Sequence, residues 1–447
     1  MGVRWCVART WGLAVRLWFL LYAGSIAAQA ATQLPVSDEN VAQPVSLDDL
    51  IQQALRRSPG LQAKRHAYEA ARARVFSAWL PDDPEIGVDV EGQSRLFRFD
   101  RSDNEYSLTQ TVPFPTKLFL RGTIALREAD IAYQDYKEKE RDVVWHVEQP
   151  YAELFLAKKI LAALEELRQL LDKLAQAVQA RYENNQAPQQ DLLKAQIESS
   201  KLRIDVFEWQ QKAHVAEAHV SHLLNRALDA TYTLTDEPHH TPLSWSRADL
   251  ERLAVDARPE LKALTLGIQR AKTGRLLAAT KWLPDVTGRI EARQFSGEGH
   301  IREYDTGLFL TVPVWSLLKG AGGEWREAER QVQQAEAAYT EMKNEVLLAI
   351  HEAYAKAQTA EYALTIYEHL ILPQARQQVD VAFASYEAGR ADLLPLIDAQ
   401  RTLKDAQMAY FKVGADYELG LSDVRLAIGG ALPRPTPQTP SLTETSR

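Results

Sequence analysis

Residues 285–293 read DVTGRIEAR and residues 308–314 read LFLTVPV. In the first, Val286, Gly288, Ile290 and Ala292 alternate with Thr287, Arg289, Glu291 and Arg293; in the second, Leu308, Leu310 and Val312 continue the apolar series. A period of two with one apolar and one charged face predicts a pair of strands in a sheet that is dry on one side only. Each strand is about ten residues, the length that crosses a bilayer when tilted. The same pattern stands earlier in EIGVDVEG (85–92) and YSLTQTV (106–112), where Ile86, Val88 and Val90 point one way and Asp89 and Glu91 the other. The connecting segments SRLFRFDRSDNE and FSGEGHIRE are polar, which suits an external surface. Alternation alone also fits a soluble antiparallel sheet with one wet face.

After each strand pair comes a very long helical stretch. From Leu118 to Glu183 the single proline is Pro150, and from Glu324 to Glu387 it is Pro373. At 1.5 Å per residue the first run extends about 100 Å. Leu161, Leu164, Leu167, Leu171, Leu174 and Val178 recur at three- and four-residue steps, a packing stripe. Runs of this length imply coiled coil or a helical array rather than a compact globule, here as long antiparallel coiled-coil helices, with the prolines as sites of local bending. Ala335, Ala337, Ala338, Ala353, Ala355 and Ala357 would let helices approach closely.

The strand–helix order occurs twice because the chain is duplicated. Ser58-Pro59-Gly60-Leu61 returns as Arg258-Pro259-Glu260-Leu261, Trp79-Leu80-Pro81-Asp82 as Trp282-Leu283-Pro284-Asp285, and Thr111-Val112-Pro113-Phe114 as Thr311-Val312-Pro313-Val314. Tyr182-Glu183 and Asp191-Leu192-Leu193 return as Tyr386-Glu387 and Asp392-Leu393-Leu394. The resulting layout is a first repeat over 46–225 with its strand pair near 85–114, a linker over 226–245, a second repeat over 246–430 with its strand pair near 285–314, and a disordered tail over 431–447. Ser46 is placed to cap the first helix, Asp48 and Asp49 fall in its first turn, and Pro59 separates it from the next.

Composition narrows the function classes. Of 447 residues, 46% are hydrophobic and 25% charged, which excludes a disordered chain. The formal net charge of −8 argues against a nucleic-acid partner. Residues 1–30 have the form of an export signal: Arg4, Arg9 and Arg16, an apolar run from Leu17 to Ala28, and the small-x-small site Ala28-Gln29-Ala30. Removing its three arginines takes the net charge from −8 to −11. It also removes Cys6, the single cysteine, which leaves neither a disulfide framework nor a thiol for lipid attachment or metal. Residues 31–45 then form an N-terminal extension. No later segment has the unbroken apolar run of a transmembrane helix, so the membrane option is a β-barrel. Four strands per chain are too few to close one alone, and several chains would have to share it.

The segment from about Ser46 to Gly430 resembles the TolC-like outer-membrane efflux family. The resemblance is carried by the duplicated layout, the strand ends TVPFP and TVPVW, and the tip segments RYENNQAPQQDLLKAQ and SYEAGRADLLPLIDAQ. In the second tip, Tyr386, Gly389, Leu393 and Leu396-Ile397-Asp398-Ala399-Gln400 stand where the family pattern has them. The segment LPDDPEIGVDVEG is similar to the LPNPE segment of the heavy-metal (cobalt-zinc-cadmium type) subgroup, with Asp83 in place of the Asn. The resemblance implies a mainly α fold with a β-barrel part. Three chains would share a 12-stranded barrel in the outer membrane of a Gram-negative bacterium, and the helices would form a tunnel hanging into the periplasm. The implied partners are two further copies of the chain, outer-membrane lipid, a periplasmic adaptor and an inner-membrane pump. No cofactor is implied. The implied function is a passive exit duct for small toxic solutes or metal ions. The alternatives are the outer-membrane component of type I protein secretion and a soluble periplasmic coiled-coil adaptor, the last of which needs no lipid-facing strands.

Candidate functional residues concentrate at the two tips. Gly389 follows a long helix where a left-handed residue would end it, and Asn185 occupies that place in the first repeat. Asn184, Asn185, Tyr386, Gly389 and Arg390 are candidates for adaptor contact, although a plain helix–turn–helix hairpin has the same sequence needs. The resemblance places Asp398 at an inward-facing constriction near the periplasmic mouth. Asp392, Asp191 and Lys194, the last matching Asp398 in the other repeat, are the further pore candidates. Elsewhere, His214, His219 and His222 share a helix without ligand spacing that completes a metal site, and His239-His240 fall in the linker. Gly320-Ala321-Gly322-Gly323 lacks the Lys-Ser/Thr of a phosphate loop, and no nucleophile or zinc-protease motif is present, so no enzymatic activity is expected.

Overall fold

A computed structural model describes residues 43–91, 103–184, 187–235, 242–298, 300–314, 323–430 and 432. The export signal, most of the extension, Asn185, His239-His240, residues 315–322 and all of the tail but Leu432 lie outside them. In chain order the elements are β1 (Gln43–Val45), α1 (Leu47–Arg57), α2 (Pro59–Ala78), β2 (Glu85–Glu91), β3 (Asp103–Val112), α3 (Pro115–Glu183), α4 (Gln189–Leu223) and β4 (Tyr232–Leu234). The second half continues with α5 (Arg247–Ala257), α6 (Pro259–Thr280), β5 (Asp285–Gln294), β6 (Glu303–Thr311), α7 (Trp325–Ile366), a π-helical turn (Tyr367–Ile371), α8 (Leu372–Glu387) and α9 (Leu393–Ile428).

The opening helices repeat a single local code. Ser46 Oγ accepts from Asp49 N at 3.1 Å to start α1, and Ser246 Oγ accepts from Asp249 N at 3.3 Å to start α5. Pro59 and Pro259 then begin α2 and α6, because a residue with no N–H and a fixed φ suits the first helical turn and cannot continue the helix before it. Packing is duplicated as well. Leu50, Ala54 and Leu61 sit on Val143, Val147 and Leu154 of α3, while Leu250, Ala254 and Leu261 sit on Val346, Ile350 and Ala353 of α7.

The four barrel strands form one antiparallel sheet in the order β2-β3-β5-β6. Its register sets Asp89 opposite Glu105, Glu105 opposite Arg293, and Arg293 opposite Glu303. Every odd-numbered residue therefore shares one face and every even-numbered residue the other. β3 pairs with β5 across 176 residues of sequence at Thr111 and Thr287, whose hydroxyls meet at 3.0 Å, so the two repeats join edge to edge. Beneath this seam Lys117, almost fully buried, donates to Asp285 Oδ1 at 2.9 Å and to the Leu283 carbonyl at 2.8 Å; Asp285 also accepts from Phe114 N. The sheet is thus tied to the head of α3 by an ion pair whose lysine is buried and whose aspartate is half-buried.

The two long helical runs meet their prolines differently. α3 is unbroken over 69 residues and passes through Pro150. The second run is not continuous: Tyr367–Ile371 winds as a π turn just ahead of Pro373. Proline lacks the N–H that the carbonyl four residues back would accept, and one wider turn absorbs the mismatch. A further feature was not legible at all. Residues assigned to the extension and the linker pair as strands, β1 running parallel to β4 with Gln43 opposite Tyr232. The fully buried Tyr232 anchors them through a 3.0 Å contact with Ser221 Oγ.

The expected stripe on α3 packs inward at Leu164, Leu171, Leu174 and Val178, joined by Ile160, with Leu161 and Leu167 half-buried. Of the alanines singled out on α7, Ala353 and Ala357 are buried, as are Ala328 and Ala360 of the same helix. A Cβ placed on Gly420 of α9 would lie 3.0 Å from Ala357 Cα, so the α7–α9 crossing depends on glycine there.

Candidate conduit wall and periplasmic tip

Each repeat ends away from the sheet in a helical hairpin, α3–α4 in the first and α8–α9 in the second. The second turn closes as the sequence predicted: Gly389 has φ +68, Gly389 N donates to the Tyr386 carbonyl at 3.0 Å and Arg390 N to the Ser385 carbonyl at 3.0 Å. In the first turn Asn184 does part of this work, its Nδ2 donating to the Ala180 carbonyl at 2.9 Å. Asn184, Gly389 and Arg390 are exposed. Tyr386 stands apart from them: its ring is buried, with the Arg181 guanidinium 4.7 Å from its centroid. Its side chain is used to hold the two hairpins together, because an aromatic next to a turn is the largest apolar surface available there.

The pore candidates fall on the two return helices. Asp392 is the exposed N-cap of α9, and Asp191 lies in the first turn of α4, both where a helix dipole favours an acid. Lys194 is half-exposed and Asp398 is exposed. Between Asp398 and the interior, Leu393, Leu396 and Ile397 are buried against Leu171, Leu174 and Leu202 of the first hairpin. Residues that sequence reasoning missed join the hairpins just behind. Arg401 of α9 forks onto Glu198 of α4, and Lys404 reaches Asp205 at 2.8 Å. The Arg401 hydrogen bonds hold the Glu198 carboxyl below the ordinary carboxylate range. These four residues and the buried Gln400 line a cavity of about 260 Å³. No periodicity marks such pairs, since their partners lie two hundred residues apart.

At the other end, the two faces of the sheet have opposite chemistry. Ile86, Val88, Leu108, Ile290, Leu308 and Leu310 are exposed on one. The other carries Glu85, Asp89, Glu91, Asp103, Glu105, Glu291, Glu303 and Asp305 against two cations, Arg289 and Arg293. Arg293 reaches Glu105 at 3.3 Å, Glu291 at 3.6 Å and Asp305 at 3.8 Å, which still leaves a carboxylate excess. Among the described residues no helix is long and apolar enough to cross a membrane. His214 reaches Glu217 at 3.5 Å while His219 and His222 are exposed, and no group of three or more candidate metal ligands occurs among the described residues.

A sheet with one apolar and one acidic face is thus continued by long helical hairpins, and the chain matches the pattern of a known family over residues 50–226 and 250–430. The chain belongs to the outer membrane efflux protein family. It is a TolC-like protein, with the outer-membrane location of that family. It is 20% identical over 416 residues to the cobalt-zinc-cadmium resistance protein CzcC of Cupriavidus metallidurans, covering 91% of this chain and 96% of that one. Its fold is similar to that of CusC, at a TM-score of 0.75 and 15% identity over 90% of this chain and 100% of the other. It is also similar to the outer membrane protein VceC of Vibrio cholerae, at a TM-score of 0.73 and 18% identity over 86% of this chain and 96% of that one.

Proposed function

We propose that three copies of this chain form the outer-membrane exit duct of a tripartite efflux system, and that its cargo is divalent metal cations. The carrying observation is the four-stranded sheet with one lipid-compatible face, one acidic face and two open edges, β2 and β6. In lipid an open edge leaves backbone groups unpaired, so the sheet must continue into other copies. Three copies supply twelve strands, within the range of closed membrane barrels. The acidic face then lines the lumen and raises the local concentration of cations. Adaptor and pump meet the tunnel at the exposed turn residues Asn184, Gly389 and Arg390, and the duct itself is passive. The similarity to a metal-resistance protein supports metal cations over the alternative cargo, a secreted polypeptide, which gains nothing from an acidic wall.

At the periplasmic mouth the three Asp398 carboxylates form a ring. A ring of carboxylates attracts cations, and a confined pore screens it weakly. Detergent extraction of outer membranes should yield a heat-resistant trimer that conducts in planar bilayers with cation preference and block by divalent ions. Asp398→Asn should weaken both preference and block. A monomer recovered from the soluble periplasm would sink the duct reading; unchanged selectivity and block in Asp398→Asn would remove Asp398 from the mouth.

A further inference from the structure

Asp398 has a counter-ion within reach on its own helix. Arg401 lies one turn further along α9, with Nη1 3.8 Å from Asp398 Oδ1. On an exposed helix a carboxylate and a guanidinium at this spacing pair with each other. Here the guanidinium is shared, with only Nη1 left toward Asp398. Its Nε donates to Glu198 Oε2 at 3.0 Å and its Nη2 donates to Glu198 Oε1, a two-pronged grip from α4 of the other hairpin. The Glu198 side chain is 12% exposed, against 47% for Arg401 and 58% for Asp398. Two parallel charge-assisted bonds to a sheltered carboxylate outweigh one longer contact to a solvated one. The next cation along α9 is also taken, since Lys404 is held by Asp205 at 2.8 Å. Lys201, the other cation on Glu198 at 3.1 Å, belongs to α4 itself.

We infer that Glu198 is a specificity-determining residue of the conduit: by taking the two hydrogen-bonding nitrogens of Arg401 it leaves the Asp398 carboxylate only partly neutralised, and so sustains the cation preference of the mouth. The inference rests on the reading that Asp398 lines that mouth. Glu198 touches no cargo; it acts through the placement of Arg401.

The test is a mutant cycle read as the cation-to-anion permeability ratio, from reversal potentials of the full-length trimer in planar bilayers under a KCl gradient. Glu198→Gln should lower the ratio by about 1.5- to fivefold, the factor that an exposed ion pair is worth. The same substitution should add nothing in an Asp398→Asn background, and Arg401→Gln placed on Glu198→Gln should restore the ratio. A wild-type ratio in Glu198→Gln overturns the proposal. So does an equal drop with and without Asp398, which is what loss of one independent charge would give, and so does failure of Arg401→Gln to restore. Should Glu198→Gln not assemble, Glu198→Asp keeps the charge and shortens the reach; a drop in its ratio supports the proposal and a wild-type ratio overturns it. An inert Asp398→Asn would fail the mouth assignment itself, a result distinct from an inert Glu198→Gln beside an effective Asp398→Asn.

Discussion

At the scale of single residues, charge is placed where packing alone would not hold. Arg141 of α3 forks onto Glu260 of α6, with Nη1 2.9 Å from Oε2 and Nη2 2.5 Å from Oε1, and both side chains are 12% exposed. Burial pushes the Glu260 carboxyl up, but the Arg141 fork and the neighbouring Arg258 outweigh it and leave it below the ordinary carboxylate value. An acid whose folded pKa is depressed stabilises the fold above its unfolded pKa, about 4.3, and that contribution is lost as pH falls through the lower folded value. Glu260→Gln should therefore destabilise the helical body at pH 7 by about 3 kcal/mol, because it removes the forked partner of a buried guanidinium and leaves it only the longer contact to Asp142 at 3.7 Å. In thermal melts, the gap between wild type and variant should narrow as pH drops below about 4. A gap that stays constant with pH would show that the charge of Glu260 is not what stabilises this junction.

At the scale of elements, the two hairpins are built alike but held differently along their length. Midway along α3, α9 is fixed to it by Trp145 Nε1 donating to Asp423 at 2.9 Å and by Arg425 3.0 Å from a largely buried Glu148. Near the tip the polar ties are the half-exposed Glu198–Arg401 and Asp205–Lys404 pairs, each worth under about 1 kcal/mol. The π turn at Tyr367–Ile371 buries none of its own residues and separates α8 from α7. The tip of the second hairpin, from Tyr386 to Gln400, is therefore the segment expected to move when the mouth opens. Residues 31–447 hold no cysteine, so a cysteine pair replacing Asp205 and Lys404 can be bridged cleanly by a short bis-maleimide. Bridged trimers should assemble normally and lose export. Full export from a fully bridged sample would refute the movement.

At the scale of the whole molecule, the sheet is the element that a single chain leaves incomplete. Leu308 and Leu310 of the edge strand β6 are exposed at 76% and 62%, as lipid contacts must be in an isolated chain. A cation on this face at mid-bilayer costs about 2–4 kcal/mol per copy. Leu308→Arg should accordingly reduce trimer recovered from outer membranes, whereas Thr109→Arg, on the acidic face of β3, should leave assembly intact. Equal recovery of the two variants would contradict the assignment of faces.

The sequence by itself determined the duplication, the strands and their faces, the long helices and the glycine turn at Gly389. All of these follow from short-range periodicity or from a single residue's backbone preference, which neighbours in sequence reveal. Ser46 and Pro59 were legible as cap and helix start for the same reason. Tertiary structure alone decided the pairing of β3 with β5, the Lys117–Asp285 tie, the β1–β4 strands, the inward turn of Tyr386 and the grip of Glu198 on Arg401. Each joins residues far apart in the chain, and a lysine or glutamate on a helix surface has the same local pattern whether it meets water or a partner. The π turn belongs with these, since Pro373 announces a perturbed helix but the packing around it decides whether the chain kinks, breaks or widens by one residue.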